Sequence, residues 1–281
     1  MSIATLRMTY HRNLCAQILS IEKGTPNIAD SSSTLSSAIA RRLVAMLPYP
    51  LAAKAPSGQT AGVIFERLTR DFLEDAFQII QHLRPGRWRF STQASIVHFE
   101  QYEHLADLQR ILHEKPDLKA ALGGDYLITP DIVVARYPVT DSEINQISVV
   151  IAEHDDVSTL TPLRAANRHA ETLLLHASIS CKWTMRSDRA QNIRTEGLNL
   201  VRNRKGHTPH IVAVTAEPLP SRLASLALGT GDLDCVYHFA LPELRAAVEQ
   251  MGGPDQTEII TAMIEGRRLR DISDLPFDLA A

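Results

Sequence analysis

The 281-residue chain is 44% hydrophobic and 22% charged, which excludes bulk disorder and leaves enough length to bury a core without disulfide or metal staples. Its 29 basic and 32 acidic residues sum to −3, which excludes a chain that is basic all over but not a local basic face. No run of 18 apolar residues is present, so no transmembrane helix is expected, and MSIATLRMTYHRNL lacks the apolar run of a signal peptide. Cys15, Cys181 and Cys235 are odd in number and without metal-type spacing. They predict a reducing, cytoplasmic setting with no zinc or disulfide framework.

No repeat is found, and no low-complexity tract beyond Ser31–Ser33. Ser33–Leu47 has helical spacing and stops at Pro48-Tyr49-Pro50. After the turn-rich Lys54–Gly62, apolar residues from Ile64 to Leu83 recur at threes and fours, predicting a long amphipathic helix that ends at Arg84-Pro85-Gly86. A further helical region covers about Val97–Leu122, with a break near Pro116. The second half shifts to short apolar runs read as five strands: Ile132–Ala135, Ile147–Ala152, Leu173–Ile179, Ile211–Val214 and Leu233–Phe239. Asp234, Tyr237 and His238 make the last of these partly polar, as an outer strand would be. Ser187–Arg204, Leu241–Met251 and Gln256–Glu265 read as helices. The expected fold is one α/β domain over residues 1–281, a central mixed five-stranded sheet flanked by helices. Residues 1–125 form a mostly helical part, 126–240 the sheet core and 241–281 the closing helices.

Chemistry concentrates around HASISCKWTMR. On a strand, Ser178, Ser180, Lys182, Thr184 and Arg186 share one side, while Ile179, Cys181, Trp183 and Met185 face the core. A lysine there needs an anionic partner. Asp131, at the start of a buried strand and a sheet edge, is one candidate; Glu196, in the helix after Arg186, is another. Two carboxylates and a lysine beside a sheet form a kit for metal-assisted phosphodiester hydrolysis, with oxygen ligands for Mg²⁺. Arg186-Ser187-Asp188-Arg189 then sits at a helix start, where arginine can read guanine O6 and N7 and aspartate can accept from cytosine N4. Lys182 to Lys205 holds seven basic and two acidic residues, a local +5 suited to a phosphate backbone. Glu153-His154-Asp155-Asp156 is a weaker metal candidate with no lysine at useful spacing. His207 and His210 read as surface residues, and Trp88 and Trp183 as packing.

Lys182–Glu196, KWTMRSDRAQNIRTE, resembles the Lys-x-x-x-Arg-Ser-Asp-Arg segment and trailing glutamate of the CCGG-family type II restriction endonucleases, within the PD-(D/E)XK superfamily. The similarity continues through Gly197–Leu241 and the closing RRLRDISDLPFDLA, with shorter echoes at SGQTAG, RDFLE and RPGRW. In that family the acidic residue usually found two positions before the lysine is replaced by serine, here Ser180, and the following helix supplies the carboxylate, here Glu196. The resemblance implies a Mg²⁺-dependent enzyme with two ions per active site. Asp131 would bridge them, the Cys181 backbone carbonyl would be a ligand, Glu196 would act through water, Lys182 would position the attacking water, and Glu66 would be a further acidic group. It also implies the target GCCGGC. Arg186, Asp188 and Arg189 would read the inner CCGG pairs, Asp30 and Arg222 the outer G·C pair, and Gln59 the minor groove. Cleavage would leave a 5′-phosphate and a 3′-hydroxyl. The partners implied are double-stranded DNA, further copies of the chain as a dimer of dimers, and a cognate DNA methyltransferase in a prokaryotic cytoplasm, with no membrane. The alternatives from the residues are a structure-specific repair nuclease and a DNA-binding protein without catalysis.

Overall fold

The computed structural model describes residues 1–122, 127–167, 172–185 and 187–281, apart from the side chains of residues 119, 121–122 and 187–189. Helix α1 (Ile3–Gln17) opens the chain, with Ser2 Oγ accepting the Thr5 N–H. A hairpin of β1 (Ile21–Glu22) and β2 (Thr25–Pro26) turns through Lys23 and Gly24, both at positive φ as its two-residue turn requires. Helices α2 (Thr34–Ala45) and α3 (Gly58–Ile80) follow, capped by the hydroxyls of Ser33 and Ser57. On α3, Leu68, Phe72, Ala76 and Ile80 form the buried stripe that the spacing predicts, extended by Ala61 and Phe65; Ile64 is only half-buried, and the helix ends at Ile80, leaving Leu83 exposed beyond it.

Strand β3 (Trp88–Thr92) begins the main sheet, and α4 (His104–Glu114) and α5 (Pro116–Leu122) are divided at Lys115. Proline disfavours helical backbone in the residue before it, which accounts for the break. Strand β4 (Ile132–Arg136) leads through α6 (Asp141–Ile144) and a long loop to β5 (Leu174–Lys182). Two helix–strand alternations extend the parallel half of the sheet: α7 (Ser187–Asn203) with β6 (His210–Thr215), then α8 (Pro220–Ala227) with β7 (Cys235–His238). Helices α9 (Leu241–Met251) and α10 (Gly253–Glu265), strand β8 (Leu269–Asp271) and helix α11 (Leu275–Ala280) complete the chain.

The six strands lie in chain order, β3-β4-β5-β6-β7-β8. The pairs β3/β4 and β4/β5 are antiparallel; β5/β6, β6/β7 and β7/β8 are parallel. Both faces are covered, so β5 is buried along nearly its whole length, including Ser178 and Ser180. The N-terminal helices are tied to the far end of the sheet by charge. Arg7 on α1 donates to Asp271 at the end of β8 and to Glu243 on α9, at 2.7 to 2.9 Å. Among the described residues, no helix is long and apolar enough to cross a membrane.

The sheet has six strands where the sequence pattern predicts five. Ile147–Ala152 is not a strand: it lies in the loop between α6 and β5, with Ile147, Val149 and Val150 exposed at 98%, 78% and 63%. Its apolar run has no strand partner, and the Asn145 side-chain oxygen instead accepts the Val150 and Ile151 N–H groups. Strands β3 and β8 are added; the first, Trp88-Arg89-Phe90-Ser91-Thr92, carries only two apolar residues and no valine or isoleucine, and the second is only three residues long. Strand β7 is interior and fully buried rather than outer. Its polar residues find partners inside the fold: Tyr237 donates to Asp278 at 2.6 Å, and His238 Nδ1 accepts the Ala240 N–H at 3.1 Å, while His238 Nε2 is buried without a partner among the described residues.

Candidate active site

Sheet register decides which residues meet. Ile132 at the start of β4 pairs antiparallel with Ile179 near the end of β5, which sets Asp131 across from the Ser180–Lys182 end of β5. Asp131 therefore stands at the end of an interior strand rather than on a lateral edge of the sheet. Its Oδ2 accepts the Cys181 N–H at 2.7 Å and the Lys182 ammonium at 2.6 Å. Burial alone would lower the Lys182 pKa, but the Asp131 charge and hydrogen bond, helped by Cys181 and Glu196, leave it above the ordinary lysine value. Lys182 is thus a cation held by its carboxylate partner.

Two further carboxylates flank this pair. Glu66, buried on α3, accepts a hydrogen bond from Gln93 Nε2 at 2.9 Å, and Glu196 projects from α7 toward Ser180 and Lys182. Burial raises the pKa of both, and the Asp131 charge pushes each further up. The oxygen-rich, mutually repelling set is one that a hard divalent cation would relieve. Among the described residues no three His, Cys, Asp or Glu side chains form a metal-holding group. The Cys181 thiol itself is buried, and burial lifts its pKa well above the ordinary thiol value, which leaves it to packing.

A cleft of about 670 Å³ opens over these groups, lined by Glu66, Gln93, Cys181, Lys182 and Gln59 among others. Gln59 is exposed on the first turn of α3 at the rim. A second concavity of about 420 Å³ adjoins it and shares Asn27 and Thr184 with it; this one holds Asp30, Met185 and Arg222. Arg222 on α8 donates to the Asp30 carboxylate and, at 3.3 Å, to the Met185 carbonyl. Asp30 Oδ1 accepts the Ser32 hydroxyl at 2.7 Å and the Ser32 N–H at 3.0 Å. These bonds and the Arg222 guanidinium hold its carboxyl below the usual aspartate range. Of the Arg-Ser-Asp-Arg segment, Arg186 lies outside the described residues; Asp188 and Arg189 lie in the first turn of α7, and their side chains are outside the described set.

The local basic island is smaller than its sequence count. Arg194 is turned inward, donating to Asp232 at 2.6 Å and to the carbonyls of Ser225, Leu226 and Leu228. Glu153, Asp155 and Asp156 are exposed, with Asp155 accepting the Ala152 N–H. His207 is exposed, whereas His210 is half-buried beside Asp234. Trp183 is buried against Phe65 and Phe239. Gln93 and Glu217 are the residues that sequence reasoning passes over. Gln93 follows a weakly patterned strand, and Glu217 sits in AEPLP, which reads as a turn.

A mixed sheet that brings a lysine and acidic side chains to the mouth of one cleft, with an arginine–aspartate pair in the adjoining concavity, is the framework of a restriction-endonuclease-type nuclease. The NgoMIV restriction enzyme family matches residues 10–281. The type II restriction enzyme NgoMIV of Neisseria gonorrhoeae is 48% identical over 281 residues, spanning 98% of this chain and 97% of that protein. The chain belongs to the NgoMIV restriction enzyme family and is a type II restriction enzyme, a site-specific deoxyribonuclease.

Proposed function

We propose that this enzyme cleaves double-stranded DNA at palindromic GCCGGC in a Mg²⁺-dependent reaction that leaves a 5′-phosphate and a 3′-hydroxyl. The observation that carries the reading is the Asp131–Lys182 contact of 2.6 Å at a cleft that adjoins the Asp30–Arg222 pair. Asp131, the Cys181 carbonyl and, through water, Glu196 would hold two Mg²⁺ ions, with Glu66 as a more distant acidic support. When bound, such ions supply positive charge for water activation and for the departing oxygen.

Lys182 directs its charge at the scissile phosphate and orients the attacking water. Water oxygen bonds to phosphorus, the phosphorus–O3′ bond breaks, and the O3′ oxygen leaves as a hydroxyl. Ser180, where the commoner motif places an acid, donates toward Glu196 and so couples β5 to the carboxylate on α7. Arg222 and Asp30 supply the guanidinium donor and carboxylate acceptor that an outer G·C pair requires, Arg186, Asp188 and Arg189 repeat that logic on the inner pairs, and Gln59 approaches from the minor groove.

A palindrome presents two equivalent half-sites, which a symmetric dimer matches, and we extend this to a dimer of dimers. In support, the loop between α6 and β5 leaves Ile147, Val149, Val150 and Leu160 exposed, apolar surface that a second copy would cover. A cognate methyltransferase would protect the host's own sites in a prokaryotic cytoplasm. Cleavage of a plasmid carrying one GCCGGC, with Mg²⁺ and beside an Asp131→Asn control, tests the reading. A linear product ending at that site and absent from the variant is expected; cutting at many unrelated sites would overturn the specificity.

A further inference from the structure

Glu217, just past the end of β6, is fully buried yet takes no part in the cleft that Glu66 and Lys182 line. Because β5 and β6 run parallel with Lys182 beside Thr215, the segments leaving both strands emerge side by side. Glu217 fills the space between them. Its Oε2 accepts the Met185 N–H at 3.0 Å and its Oε1 accepts the Leu219 N–H at 3.1 Å. Its own N–H donates to Thr215 Oγ1 at 3.2 Å.

The contacts close into a ring. Arg222 Nη1 donates to the Met185 carbonyl at 3.3 Å and lies 3.9 Å from Glu217 Oε2, while its other terminal nitrogen donates to Asp30. Met185 is thus gripped at both its N–H and its carbonyl, immediately before Arg186. A glutamine could not substitute here: it offers one acceptor, and its NH₂ would meet one of the two backbone donors. Burying a carboxyl is costly, and here its return is two backbone positions fixed against each other.

We infer that Glu217 is a positioning residue for sequence reading, setting the entry to the Arg186–Arg189 segment in register with the Asp30–Arg222 pair. The inference rests on the proposed GCCGGC specificity. It makes Glu217 a joint between the inner-pair and outer-pair readers rather than a part of the hydrolytic machinery. Preorganising supports of this kind keep contact residues near their productive geometry.

The test is Glu217→Gln in the full-length enzyme, with cleavage and binding measured on duplexes carrying GCCGGC or a single changed base pair. The preference for GCCGGC over the altered duplexes should fall by about tenfold or more, with KM raised and kcat at saturating cognate DNA within about threefold of the parent. Unchanged binding and discrimination in a folded variant would overturn the inference. So would a fall in kcat with discrimination intact, because that result places Glu217 in the chemistry. A parent enzyme that does not cut GCCGGC defeats the specificity reading itself, and the inference falls with it. If the variant does not fold, amide hydrogen exchange on the parent decides. The Met185 and Leu219 amides lie outside every helix and strand yet should be protected, and exchange at free-loop rates would overturn the proposal.

Discussion

Lys182 Nζ and Asp131 Oδ2 lie 2.6 Å apart across the seam between β4 and β5, although 51 residues separate them in the chain. Asp131→Asn removes the charge but retains an oxygen for the Cys181 N–H, so the fold should survive with Tm changed by only a few degrees. The pair is only partly exposed, at 28% and 16%, but Glu196 and Glu66 remain beside Lys182 to offset its charge. Catalysis should respond very differently. Single-turnover cleavage should drop by about a thousandfold or more in Asp131→Asn and in Lys182→Met, with DNA binding in EDTA retained. Activity within about tenfold of the parent in either variant would contradict the roles given to them.

The expected fold class and the Asp131–Lys182 pairing were both legible in the sequence, for reasons that can be named. A valine- and isoleucine-rich run immediately after Asp131, and strict alternation around Lys182, place both residues on strand ends, and strand ends can meet. Ile147–Ala152 misled because composition reports the tendency to form a strand and not whether a partner strand is within reach. Strand β8 was invisible because three residues carry no period, and its stability comes from pairing with β7. Glu217 and Gln93 were missed because their partners are 32 and 27 residues away, and neither spacing leaves a local pattern.

Arg222 and Asp30 are paired with each other, so under the proposed reading each would exchange this partner for a base edge. Arg222→Ala should relax choice at the outer position, bringing ACCGGT closer to GCCGGC by about tenfold to a hundredfold. Preference within the central CCGG should change less, only through the lost bond to the Met185 carbonyl, since the Glu217 bond to the Met185 N–H remains. Competition binding with the two duplexes at fixed salt measures this. An unchanged ratio would remove Arg222 from the outer pair.

His176 gives a pH dependence of defined sign. Burial, partly opposed by its hydrogen bond to the Leu279 carbonyl, holds its pKa at about 3, whereas an unfolded histidine titrates near 6.5. Between these values the unfolded chain binds a proton that the folded ring does not, so the ring's contribution to stability is lost as pH falls below 6.5. The loss is at most about 1.4 kcal/mol per pH unit. Chemical denaturation at pH 6.5 and 4.5 should therefore show a larger decrease for the parent than for His176→Phe. Equal decreases would mean that this imidazole titrates normally in the folded enzyme.

Gly197 follows Glu196 on α7, and its missing side chain is a packing requirement. A Cβ there would stand 2.3 Å from the Asp232 carbonyl oxygen, too close for any real contact. The Asp232 segment cannot easily retreat, since its carboxylate is held by Arg194 at 2.6 Å and its own Oδ1 accepts the Leu233 N–H. The helix must move instead, taking Glu196 away from Lys182. Alanine ordinarily improves a helix by about 1 kcal/mol over glycine. Here the overlap should outweigh that gain and leave Gly197→Ala less stable by about 1–3 kcal/mol, with cleavage reduced as well. Gly62→Ala on α3, where a Cβ meets nothing within 4 Å, should show the opposite sign and raise Tm. Parallel thermal melts of the two variants separate close packing at α7 from helix propensity. A stabilised Gly197→Ala would mean that α7 does not depend on this contact to place Glu196.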